Sequence, residues 1–181
     1  RDLTVTGVQT CALPILQLEE YQGELKRLVS GLTDEERREM PSETSHHIDF
    51  ALWHATRAED VLLNFGARET DQLWVQGGWH ERFNIPARDF GVGYSADQVM
   101  SMPATPIDLL LEYHEACREQ TLDYIANVDP LELDKRCPFE ALHRQLPDIT
   151  KGGVLAHIVV ETSQHLGQIG YIRGILRGID S

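Results

Sequence analysis

The sequence is short of cysteine, of basic residues and of long apolar runs. Its 3 cysteines in 181 residues form neither a CxxC pair nor a disulfide framework, which points to a reduced, cytoplasmic setting. Lys and Arg number 16 against 29 Asp and Glu, a formal charge of −13. That charge repels phosphate backbones and no basic patch offsets it, so nucleic acid is not an expected partner. No apolar stretch approaches the roughly 20 residues that cross a bilayer, so no membrane partner is expected either. HExxH is missing, which excludes a thermolysin-type protease, and there is no GxSxG elbow. A carboxylate-bridged di-iron bundle needs two helical ExxH motifs. Glu140 and His143 have that spacing by letter count, but they lie in a connection bounded by Pro138 and Pro147.

What is present is helical periodicity. Leu18, Tyr21, Leu25, Leu28 and Leu32 recur at steps of three and four, predicting a helix that ends near Gly31. Thr33 to Glu36 reads as a capping box for a short helical turn stopped by Pro41. A second long helix is expected over 45–64, with His47, Ala51, His54, Ala58, Val61 and Phe65 inward and Gly66 ending it. Residues 67–106 lose the periodicity, but their aromatics (Trp74, Trp79, Phe83, Phe90 and Tyr94) argue for order. Within them Ser95 should cap a short helix. A third long helix fits 105–127, with Thr105 as cap and Pro106 in the first position. After a second irregular connection over 129–149, Thr150 can cap the fourth. The expected fold class is all-α, a four-helix bundle with two long connections. One domain covers 16–181. Residues 1–15, RDLTVTGVQTCALPI, are set aside as translated adapter sequence or a disordered leader.

The informative stretch is 154–176, VLAHIVVETSQHLGQIGYIRGIL. Alternating steps of four and three give Val154, Ile158, Glu161, His165, Gln168, Ile172 and Ile175, an apolar seam whose middle is an acid, an imidazole and an amide. Glu161 and His165, four apart, rise from one face about 5–6 Å apart at Cβ, a gap that suits two ligands on one divalent ion. His54, mid-helix on another apolar stripe, is the best third donor. Three protein ligands leave a position for water or substrate, as catalytic sites do. The competing reading is a buried acid–imidazole pair or an i,i+4 surface contact, beside a hydrogen-bonded core histidine. His157 is a rival ligand, placed preferentially at the rim or behind the ligands.

Other candidates are weaker. His46 and His47 read as rim or solvent-facing, and His114 has no ligand-spaced partner. Cys117 reads as core; Cys137 reads as more exposed but has no activating base. Trp79 and His80 in the long loop, and Arg173 in the last helix, are candidate substrate-binding residues. Arg173 also has the sign that complements a helix C-terminus. No catalytic residue is assigned.

The segments ALWHATRAED, RFNIPARDFGVGYSADQV and HIVVETSQHLGQIGYIRGIL resemble the DinB-like superfamily from about Leu16 onward. The resemblance implies a four-helix bundle holding zinc or nickel through three side chains of the second and fourth long helices. Many members use three histidines. Glu161 stands where the first of a HxxxH pair usually falls, which is similar to the mycothiol-dependent maleylpyruvate isomerase branch with its His, Glu, His zinc set. By resemblance the metal ligands are His54, Glu161 and His165. The implied activity is metal-dependent transfer of a low-molecular-weight thiol such as mycothiol, bacillithiol or glutathione to an electrophilic substrate. The alternative is a non-enzymatic, metal-stabilised bundle, stress-related or dimeric. A homodimer is compatible with either.

Overall fold

Four long helices pack around two clusters of buried apolar side chains. A computed structural model describes residues 7–178, with side chains from Leu13 onward. The long helices are α1 (Gly7–Val29), α3 (Ile48–Val61), α7 (Ile107–Asn127) and α9 (Lys151–Arg177). Packed pairs α1–α9, α9–α3, α3–α7 and α7–α1 close the ring of a bundle. Short helices occupy the connections: α2 (Asp34–Arg37), α4 (Leu73–Gln76), α5 (Trp79–Phe83), α6 (Ala96–Met100) and α8 (Pro130–Leu133). Among the described residues there is no strand, only one isolated bridge between Arg136 and Thr150. No helix among them is long and apolar enough to cross a membrane. The part of the 1–15 leader that falls on residues 1–6, and the side chain of Cys11, lie outside the described residues. From Gly7 the chain is drawn as part of α1, through Pro14.

The expected caps form where the letters place them. Thr33 and Ser95 each complete a capping box, with Glu36 and Gln98, and Thr150 accepts from the Gly153 amide at the start of α9. Three boundaries differ from expectation. α3 starts at Ile48 because the buried His47 ring caps it, its Nδ1 accepting from the Phe50 amide at 3.0 Å; His47 is therefore not a rim residue. Gly66 does not end that helix, which continues as a π-helical segment, Leu62–Arg68, to Glu69 at φ 58°. Gly66 serves close approach instead, since a Cβ there would lie 2.9 Å from Val154 Cγ1. Thr105 does not cap α7: Pro106 holds the N-cap position and the Thr105 hydroxyl donates to the Pro103 carbonyl.

The seam of α9 also rotates. Val154, Ile158 and Ile172 are buried as expected, but Gln168 is exposed, Ile175 is 51% exposed, and Ile169 takes the inward position. Strict alternation of four and three has a period of 3.5, from which a straight helix drifts by about 20° per heptad. Cys137 is buried as well, contrary to the sequence reading. Its amide donates to the Ile149 carbonyl and its thiol packs beneath Gly66.

The polar face of α3 is the larger surprise, because it points inward. Asp60, fully buried, accepts from Arg57 (2.9 Å), the Tyr113 hydroxyl (2.7 Å), and the Leu73 and Trp74 amides (2.8 Å each). Arg57 lies over the Trp74 ring and reaches the Asp89 carbonyl at 3.2 Å. Trp74, Trp79 and Phe83 pack on Tyr113. The long connection is thereby fastened to α3 along its length. A second buried pair, Glu59 with Arg118 at 2.8 Å, joins α3 to α7.

Candidate metal centre

The helices with the most extensive mutual packing, α3 and α9, carry the candidate donors. His54 lies on α3; Glu161 and His165 lie one turn apart on α9. Their donor atoms all fall within 4.8 Å of one another. His165 Nε2 and Glu161 Oε1 are 3.4 Å apart. Two ligands at about 2.1 Å from a tetrahedral ion sit roughly 3.4 Å from each other, so this pair already has the required separation. The His54 and His165 rings meet edge to face, with centroids 4.9 Å apart.

Both imidazoles are held by their far nitrogens. His54 Nδ1 donates to the Phe90 carbonyl at 2.6 Å, and His165 Nδ1 donates to the Gln168 amide oxygen at 2.8 Å. A proton fixed on Nδ1 leaves Nε2 as a lone pair for a metal, the usual arrangement behind ligating histidines. Phe50 stacks flat on His54, with centroids 5.4 Å apart and planes 7° apart. Gly91 is what permits the first of these contacts. Its φ is 78°, and a Cβ would lie 2.8 Å from Trp53 and 3.1 Å from His54 Nδ1. Neither the Phe90 carbonyl nor Gly91 was singled out from sequence as part of the site. The only signal was the Gly91-Val92-Gly93 turn.

Protonation states suit coordination. Burial, against the opposing pull of the Phe90 carbonyl, lowers the His54 pKa and favours neutral imidazole. When His165 Nε2 carries a proton it donates to Glu161, and this hydrogen bond outweighs burial and holds the Glu161 carboxyl below the usual carboxylate range; a metal would take the place of that proton. The centre lies at the edge of the core rather than within it, since the side chains of Glu161 and His165 are 26% and 12% exposed. Two imidazoles and one carboxylate with open approach form a donor set suited to Zn²⁺ or Ni²⁺ with a free coordination position.

A profile of the DinB superfamily matches residues 17–169. The chain belongs to the DinB superfamily. The DinB fold is seen again in the crystal structure of a conserved protein from Enterococcus faecalis, which is 20% identical and superposes with a TM-score of 0.80 over 92% of this chain and 96% of that one. No curated protein sequence matches this DinB chain.

The remaining sequence candidates have other partners. Trp79 is buried against Tyr113 with Arg82 over its ring. His80 Nδ1 donates to the Trp74 carbonyl at 3.2 Å. Arg173, about 12 Å along α9 from His165, donates to the Leu28 and Ser30 carbonyls at 2.8 and 3.0 Å. His114 is buried in the core, 3.5 Å from the Thr56 hydroxyl and against the Tyr21 ring.

Proposed function

We propose that this DinB protein is a metal-dependent S-transferase that joins a low-molecular-weight thiol to an electrophilic small molecule in a reducing, cytoplasmic compartment. The observation that carries the reading is the convergence of His54, Glu161 and His165, with both Nδ1 atoms tied to oxygens and open access beside them. These three residues would hold a divalent ion, zinc in preference to nickel. A bound cation of this kind stabilises a coordinating thiol as thiolate at neutral pH. The residues of the chain then divide the work. Phe90 and Gln168 fix the imidazoles, Glu161 contributes negative charge that moderates the site, and Phe50 walls the His54 side.

The test is consumption of thiol by purified, zinc-loaded protein offered glutathione, bacillithiol or mycothiol with an aromatic electrophile. Turnover that disappears in His54→Ala and His165→Ala supports the reading, and turnover that survives complete loss of metal contradicts it. A metal-stabilised bundle without activity is the second reading, favoured by the position of the donors across α3 and α9. It predicts a large drop in Tm on chelation and no turnover with any thiol. No nucleic-acid partner is proposed; a homodimer is compatible with both readings.

A further inference from the structure

The turn before α3 and the C-terminal half of α9 enclose an open groove of about 310 Å³. Its walls include Ser42 and His46 on one side and Gln168, Tyr171, Ile172 and Ile175 on the other, and no lining residue is Asp, Glu, Lys or Arg. Among the described residues nothing covers its outer edge, where Tyr171 is 72% and Ile175 51% exposed. The turn is stiff: the Ser42 amide donates to the Ser45 hydroxyl at 3.0 Å, which donates back to the Ser42 carbonyl at 2.9 Å.

The groove shares walls with the metal centre. Gln168 lines it and also holds His165 through its amide oxygen. His46 lines it and packs on Phe50, with centroids 5.5 Å apart, and Phe50 in turn stacks on His54. A molecule lying in the groove therefore ends about one helical turn, roughly 5 Å, from His165. Small-molecule sites are typically concave, largely apolar and furnished with a few polar groups, in volumes from about 300 Å³ upward.

We propose that this groove binds the uncharged, partly apolar half of the substrate, such as a neutral aromatic ring, whose reacting end lies at His54, Glu161 and His165. Its role as a substrate subsite rests on the metal-centre reading, whereas its selectivity for neutral ligands rests on its lining. An ionised carboxylate or ammonium placed there would lose hydration with no counter-charge to replace it, and the net charge of −13 disfavours anions further.

The experiment is a titration of the full chain, with and without one equivalent of Zn²⁺, followed by protein NMR. The probes are 4-nitrobenzyl alcohol, 4-nitrobenzoate and 4-nitrobenzylammonium. The expected result is shifts at Gln168, Tyr171 and Ile175 with the alcohol, and binding about tenfold or more weaker for both ions in zinc-free protein. Tyr171→Ala and Ile175→Asp, at exposed positions, should each weaken the alcohol by about tenfold and leave zinc stoichiometry unchanged. Shifts elsewhere, no binding of the alcohol, unchanged affinity in both variants, or equal affinity for the ions would overturn the proposal. Groove binding without zinc uptake would instead defeat the metal-centre reading alone.

Discussion

His54 Nδ1 donates to the Phe90 carbonyl at 2.6 Å, so a loop 36 residues further on sets the orientation of the α3 donor. The loop can come this close only because Gly91 has no side chain and adopts a positive φ.

Gly91→Ala should therefore weaken metal binding by about 10–100-fold, the usual effect of losing the group that orients a ligating histidine. Helical content should be unchanged. Competition with a chromogenic chelator, alongside circular dichroism, checks both parts; undiminished affinity would mean that the Phe90 carbonyl has no part in holding His54.

Asp60 has no role at the centre but organises the connection that carries Phe90. Asp60→Ala leaves Arg57 and Tyr113 buried without their partner and removes the acceptor for the Leu73 and Trp74 amides. The expected loss is about 3–5 kcal/mol, measured by urea denaturation. A loss below about 1 kcal/mol, the scale of a surface pair, would show that the network is not a major support.

Acid should destabilise the fold from near neutrality. Burial first, then Arg118, pushes the His114 pKa down to about 3, and burial first, then Arg38, pushes that of His47 down to about 4. The unfolded chain therefore binds more protons than the native one below the ordinary value of 6.5. Stability rises with pH across that window and is lost as pH falls from 6.5 toward 4, by at most about 1.4 kcal/mol per pH unit for each histidine. His114→Gln should flatten the slope measured by denaturation of metal-free protein between pH 7 and pH 5. An unchanged slope would mean that His114 becomes protonated in place.

The sequence made the helices and several of their starts legible, because caps such as Thr33, Ser95 and Thr150 act through neighbouring amides. The candidate donors were legible for the same local reason: Glu161 and His165 are one turn apart, and His54 interrupts an apolar stripe. What escaped was non-local. Arg57, Glu59 and Asp60 are charged letters that ordinarily mark a solvated face, and only the tertiary fold supplies their buried partners. The Phe90 carbonyl has no letter of its own. Gly66 resembles a helix stop, yet it is a contact with Val154 that no window along the chain contains. The exchange of Ile169 for Gln168 on the inner face of α9 followed from reading a 3.5-residue period into a helix of 3.6.

The most direct measurement is the metal content of purified protein, by elemental analysis after incubation with Zn²⁺ and removal of excess ion. The account predicts one equivalent per chain in the wild type and near-complete loss in both His54→Ala and His165→Ala, with helical content retained. A wild-type chain that retains no ion, or variants that keep a full equivalent, would contradict it.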